Sequence, residues 1–207
     1  MRLFIAIDLD DAARHSIASL QTRLKAGVSG GRSALKWIRP EHMHLTLAFL
    51  GELEEGLARS VVEAIGQPVQ AERFPIVFGG LGLFPSAGAP RVLWLGLTAG
   101  ARDVIGVQCE IAARVTRLGI GLERRPFQPH LTLARWRTSR QSDRQPLATA
   151  DWTHDVARIE VHDVSLIHSR LTPTGPVYTP LSRGLLAPGP VSRGRLGDSV
   201  GPPLQSS

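Results

Sequence analysis

Apolar positions along this chain follow two periods. From Asp10 to about residue 26, Ala13, Ile17, Leu20 and Leu24 recur at three- and four-residue spacing and predict a helix, capped by Asp10 or Asp11 and broken by Gly27 to Gly31. Further helices are predicted over 54–66 and 101–118, the second with Val104, Ile105, Cys109, Ile111, Ala112 and Val115 as its apolar side. Strand patterns occupy 2–8, 35–38, 44–50, 74–83 and 91–98, the last two joined by the turn-rich segment from Pro85 to Pro90. From Val156 to His168 the alternation of Val156, Arg158, Glu160 and His162 against Ala157, Ile159 and Val161 predicts one long half-exposed strand, and a last strand is predicted at 176–182. Residues 137–150 read as a polar loop. Residues 184–207, rich in Gly, Pro, Ser and Arg and without periodicity, are expected to form a disordered tail after a folded domain over 1–183.

Strands alternating with helices, twice over, predict an α+β or α/β architecture. Two stretches of the chain also repeat each other. Residues 39–48 read Arg-Pro-Glu-His-Met-His-Leu-Thr-Leu-Ala and residues 125–134 read Arg-Pro-Phe-Gln-Pro-His-Leu-Thr-Leu-Ala, with seven of ten positions identical at a constant offset of 86 (130 − 44). With 7 His and 11 Thr in 207 residues, composition alone would place about 0.4 His-x-Thr triplets in the chain. Two triplets, both followed by Leu and both preceded by Pro four residues earlier, indicate a duplicated unit. The repeat favours two lobes over a single undivided domain.

Each copy is a strand whose leucines point one way and whose His and Thr point the other. Histidine is the side chain that serves as neutral base or protonated acid near pH 7 without help. Two imidazoles and two hydroxyls, with no carboxylate among them, suit an anion such as a phosphodiester, which they can hold and protonate. The constellation points to acid–base phosphoester chemistry.

The paired His-Leu-Thr-Leu strands, the lead-in from Trp37 to Pro40 and the run from Leu47 to Gly51 resemble the two-histidine phosphoesterase superfamily. So does the second copy, from Arg125 to Arg135. Within that superfamily the resemblance is to the RNA 2′,3′-cyclic phosphodiesterase family, historically called 2′-5′ RNA ligase, and it extends to Arg2–Ile7 and Arg91–Leu97. It implies two pseudo-symmetric lobes, each an antiparallel-rich sheet with helices on its outer face, and an active-site cleft between them. It also implies metal-independent opening of a terminal 2′,3′-cyclic phosphate to a 2′-phosphate, with no cofactor. His44 and His130 carry over as the catalytic pair and Thr46 and Thr132 as phosphate-holding hydroxyls. The preferred assignment makes His130 the general base and His44 the general acid, although the near-symmetric motifs leave the order open. Arg135 carries over as a phosphate contact, but simple strand parity puts it on the leucine side unless the strand bulges. Ligation by the same groups in reverse is chemically allowed as a minor activity.

A formal charge of +6 and a pI near 10.8 agree with a nucleic-acid partner, here RNA 3′ ends carrying a cyclic phosphate. Because 22 of the 24 basic residues are Arg, the excess is also what a GC-rich genome would produce. The single cysteine, Cys109, cannot form an internal disulfide and is expected to be a buried thiol. No apolar run reaches the length of a membrane span, so a cytoplasmic monomer is expected.

Two other readings compete. His42 and His44 form a His-x-His pair of the kind found in metal hydrolases, for which His154, His162 and Asp163 are the remaining candidate ligands, though without motif spacing. A non-catalytic RNA-end binder would tolerate loss of one motif, whereas both are whole here. Trp37, Phe84 and Trp136 are candidate partners for a stacked base. Asp8 and Asp155 are assigned turn or cap roles, and His15, His154, His162 and His168 ordinary surface or hydrogen-bonding roles.

Overall fold

Five consecutive buried residues, Leu3 to Ile7, identify the first strand, β1 (Arg2–Asp8), as one covered on both faces. One face joins the main core. Phe4 and Ala6 on the other pack with Ile167 and Tyr178 in a separate small cluster. The computed structural model describes residues 1–28, 35–144, 154–173 and 175–189. After β1 come α1 (Asp11–Val28), β2 (Leu35–Trp37), β3 (His44–Glu52), α2 (Glu55–Gly66), β4 (Val69–Glu72), β5 (Phe74–Phe84), β6 (Val92–Ala99) and α3 (Ala101–Arg117). The chain then forms β7 (Leu131–Trp136), β8 (Asp155–Val161), β9 (Asp163–Thr172) and β10 (Gly175–Ala187).

The strands join in the order β4-β10-β9-β1-β3-β7-β6-β5-β8, with β2 also paired to β7. All pairings are antiparallel except β4 with β10. Counting outward from the central β3–β7 contact, β1, β9 and β10 on one side answer β6, β5 and β8 on the other. The protein is therefore α+β and pseudo-symmetric, as expected. Its halves exchange elements, because α1, which follows β1, packs on β8 of the opposite half, while α2 packs on β10.

Helix α1 starts where Asp10 Oδ1 accepts the Ala13 amide at 2.7 Å, so Asp10 is the N-cap. Its predicted face of Ala13, Ile17, Leu20 and Leu24 is buried. Helix α3 is rotated from the expectation: Val104, Val107, Ile111 and Val115 are buried, whereas Ile105 is 39% exposed and Cys109 is exposed. The buried set keeps the three- and four-residue stripe that Ile105 and Cys109 interrupt.

Two boundaries differ from the sequence pattern. The long strand predicted from Val156 to His168 is two strands, since β8 pairs with β5 and β9 pairs with β1, and His162 alone separates them. Strand β10 runs on to Ala187, so 184–187 are not tail; Leu186 is buried and aligns with Val69 of β4. The remainder of the expected tail, from 190, and residues 145–150 of the expected polar loop lie outside the described residues. Among the described residues no helix is long and apolar enough to cross a membrane.

Candidate active site

Strands β3 and β7 meet through one backbone pair, Leu45 with Leu131. The antiparallel register of that pair faces His44 toward Thr132 and Thr46 toward His130. Both strands then bulge at the same place. In β3, Thr46 lies opposite Ala6 and Ala48 opposite Ile5, which leaves Leu47 as the extra residue. In β7, Thr132 lies opposite Trp94 and Ala134 opposite Leu93, which leaves Leu133 as the extra residue. An inserted residue reverses the alternation of faces beyond it. Ala48 and Ala134 turn into the core, and Phe49 and Arg135 turn onto the face that carries His44, Thr46 and Thr132. Arg135 thus shares the threonine face.

The bulge of β7 is held from below. The side-chain amide of Gln21 on α1, 2% exposed, donates to the carbonyls of Leu133 at 3.0 Å and Ile38 at 2.9 Å. Before β3, Arg14 of α1 donates to the carbonyls of Pro40 and Met43 and fixes the turn that delivers His44.

The two histidines are seated alike. His130 Nδ1 lies 2.8 Å from the carbonyl of Gln128, two residues back. A carbonyl only accepts, so Nδ1 carries the proton and the opposite ring nitrogen is left for chemistry. His44 makes the matching hydrogen bond to the backbone of His42, also two residues back. Aromatic rings hold both imidazoles: Phe4 stacks on His44 at 4.6 Å with Tyr178 edge-on at 5.5 Å, and Phe84 lies edge-on to His130 at 5.0 Å with Trp94 at 6.1 Å. Trp94 lies flat across β5 because Gly82 opposite it has no Cβ, which would collide with the indole.

Burial dominates the acid–base character of the pair. It lowers the His44 pKa to about 4, with nearby Asp8 acting in the opposite sense and Arg14 and His42 in the same sense. Burial also lowers His130, and the Arg135 guanidinium adds to that. Asp8 is the strand partner of His44, and its carboxylate accepts the Ser165 hydroxyl at 3.0 Å. Its place beside the imidazole goes beyond the turn role expected of it. Burial raises the Tyr178 phenol, while Arg135 and Arg2 pull it down, so Arg135 is felt on both sides of the site.

Sequence and structure agree on one lineage for this arrangement. Residues 7–94 and 96–178 match the family described as LigT like Phosphoesterase. The chain belongs to this family. It is 35% identical over 182 residues to the RNA 2′,3′-cyclic phosphodiesterase of Archaeoglobus fulgidus, covering 87% of this chain and 98% of that one. It is 32% identical to the protein of the same name from Methanothermobacter thermautotrophicus, covering 86% and 95%. The solved structure of E. coli LigT complexed with 3′-AMP superposes with a TM-score of 0.71 at 27% identity, covering 89% of this chain and 97% of that one.

Of the three aromatic residues named as candidate partners for a stacked base, Phe84 lies against His130. Trp136 is buried, and Trp37 lies on the helix side, with the Lys25 ammonium 5.4 Å from its ring centroid. Tyr178 and Trp94 were not singled out by any motif; Trp94 sits in the matched Arg91–Leu97 run, and Tyr178, the one tyrosine of the chain, reaches the site only through the β9–β10 hairpin. His42 packs on Tyr178 at 5.1 Å. His162 and Asp163 lie at the β8–β9 joint, where the His162 carbonyl accepts the Leu186 amide and the Asp163 carboxylate faces Arg183 at 3.9 Å. Among the described residues no three His, Cys, Asp or Glu side chains converge in a metal-ligand arrangement.

Proposed function

We propose that the protein hydrolyses the 2′,3′-cyclic phosphate at an RNA 3′ end to a 2′-phosphate, using His44 and His130 as an acid–base pair without a metal ion. The observation that carries this reading is the matched seating of the two imidazoles on one face of a symmetric strand pair. The names of its relatives give the substrate class, RNA 2′,3′-cyclic phosphate.

One imidazole removes a proton from water as the water oxygen bonds to phosphorus. The other gives a proton to the 3′ oxygen as its bond to phosphorus breaks. The products are a 3′-hydroxyl and a 2′-phosphate. Thr46 and Thr132 donate to the non-bridging oxygens, and the Arg135 guanidinium balances their growing charge. The preferred assignment keeps His130 as the base and His44 as the acid; burial, the largest effect, lowers both and takes His44 to about 4, while the Asp8 carboxylate acts to raise His44 and the Arg135 guanidinium to lower His130. Burial keeps both rings neutral in the empty site at pH 7, and the phosphate anion supplies the attraction that lets His44 take up its proton.

The test is turnover of an RNA oligonucleotide ending in a 2′,3′-cyclic phosphate, with and without EDTA, followed by identification of the product. The expected product is the 2′-phosphate at an equal rate in EDTA. Loss of activity in EDTA, restored by zinc or manganese, would replace this reading with a metal site built on His42 and His44.

A further inference from the structure

Arg135 shares its level of the sheet with a second cation. Beside β7, strand β2 takes over from β3, and its register sets Leu35 opposite Trp136, Lys36 opposite Arg135 and Trp37 opposite Ala134. Leu35 and Trp37 pack on the main core, so Lys36 points to the other face, the one that carries Arg135 and the motif threonines. Residues directly opposed on one face have Cβ atoms about 4.5–5.5 Å apart, and like charges at that spacing repel. Both side chains are exposed, and among the described residues neither has an acidic partner within ion-pair distance. The arginines that lead into the two motifs do have one: Arg39 faces Glu41 at 3.9 Å and Arg125 faces Glu123 at 3.3 Å.

Duplication does not account for the pair. The counterparts of Lys36 and Arg135 in the other copy are Leu122 and Phe49 (36 + 86 = 122; 135 − 86 = 49). Leu122 packs against the main core. The two cations therefore belong to one side of the site only. Opposed cations without a counter-charge, next to a phosphate site, call for a second anion.

The chemistry of the substrate supplies it. On the reading proposed above, the reacting phosphate engages the threonines and Arg135. An RNA chain brings one more anion on the same ribose, the phosphodiester at its 5′ oxygen, whereas a free nucleoside cyclic phosphate has none. A lysine ammonium is a point charge on a flexible stem, suited to a backbone phosphate that is held by charge and not by a fixed fork of donors.

We propose that Lys36 forms a second phosphate subsite beside Arg135, holding the phosphodiester that joins the cyclic-phosphate nucleotide to the rest of the RNA chain. Such a contact favours an RNA end over a free cyclic nucleotide without reading any base.

The test is calorimetric binding to the full-length protein of two adenosine dinucleotides ending in a 2′-phosphate, one with a normal internucleotide phosphodiester and one with an uncharged methylphosphonate link. The wild type should favour the charged link, and Lys36→Met should shrink that preference about 2- to 10-fold, the net worth of a typical hydrogen bond. Loss of one phosphate contact should also flatten the dependence of log affinity on log salt for the charged dinucleotide by about 0.7. Lys36→Arg should keep both. Because the preference is a ratio of two ligands, general damage to the site cancels. An undiminished preference in Lys36→Met would overturn the proposal. So would an equal loss of affinity for adenosine 2′-monophosphate and the charged dinucleotide, since Lys36 would then act on the terminal phosphate together with Arg135. If cyclic phosphate is not turned over but the preference follows Lys36, the proposed hydrolysis fails and the subsite stands; turnover without Lys36-dependent preference is the converse.

Discussion

Leu45 and Leu131 are each other's counterparts in the duplication, 86 positions apart (131 − 45), and they form the one described backbone pair between β3 and β7. A residue paired with its own repeat marks the pseudo-twofold axis of the molecule. Both side chains are 0% exposed on the helix side, directly beneath the face that carries the histidines. Truncation of either to Ala should cost about 2–5 kcal/mol, the usual cost of a core leucine cavity. Because the axis makes their surroundings similar, the two losses should lie close together. Urea unfolding of both variants checks this, and a loss confined to one of them would break the symmetry argument.

The histidines are expected to act as a unit. Replacing His44 or His130 by Ala should lower turnover of a cyclic-phosphate substrate by roughly 10²–10⁴-fold. The double variant should fall by less than the product of the single effects, because both groups serve one transition state. A folded His44→Ala protein with near wild-type turnover would remove the pair from the mechanism.

Much of this site is readable from residue order, and the unreadable parts share a cause. The His-x-Thr strands stand out because the motif repeats, and the face of α1 because four apolar residues keep helical spacing. The bulges at Leu47 and Leu133 leave no local mark, because a bulge is a property of pairing with β1 and β6. Strand parity therefore misplaces Arg135, and Phe49 passes as one more apolar strand residue. The break at His162 is hidden for the same reason, since alternation continues through it while the strand changes partner. Leu186 sits in a Gly- and Pro-rich stretch whose composition outweighs a single buried position. Tyr178 reaches His44 across 134 residues (178 − 44), and no periodicity encodes such a contact.

The depressed histidines predict a loss of stability in acid. A histidine with a folded pKa below its unfolded value binds fewer protons when folded, so stability is present above the unfolded pKa and falls as pH drops toward the folded one. For His44 that window runs from 6.5 down to about 4. The loss across it is on the order of 3 kcal/mol. His44→Gln, polar but not titratable, should be less sensitive to pH across this window. Urea midpoints at pH 7 and pH 4.5 test it, and parallel losses in the two proteins would contradict the depressed value. In turnover, the same burial should place the acid limb of kcat/KM below the ordinary histidine range.

Gln21 is predicted to act on the reaction through Arg135. Gln21→Leu leaves the Ile38 carbonyl without this donor and removes one of two donors from the Leu133 carbonyl, at a cost of about 1–3 kcal/mol in stability. If the amide holds the bulge that aims Arg135, the kinetic effects of Gln21→Leu and Arg135→Ala should overlap, and the double variant should be little worse than Arg135→Ala alone. A double-mutant cycle on kcat/KM decides it. Independent, multiplicative losses would make Gln21 a stability residue and nothing more.

The threonines separate phosphate binding from strand symmetry. Thr46 and Thr132 lie on the face that carries the histidines, with Ala6 and Trp94 as their strand partners. Thr→Val keeps the branched shape and strand preference while removing the donor. If each hydroxyl donates to an anionic phosphate oxygen, its loss is worth about 1.5–3 kcal/mol, or roughly 10- to 150-fold in kcat/KM. Melting temperature should barely change. The facing register adds a finer expectation, since Thr132 stands by His44 and Thr46 by His130. Each threonine variant should therefore alter the pH profile on the limb that belongs to the histidine of the other copy. Wild-type kcat/KM in both single variants would leave the threonines as strand residues that duplication happened to preserve.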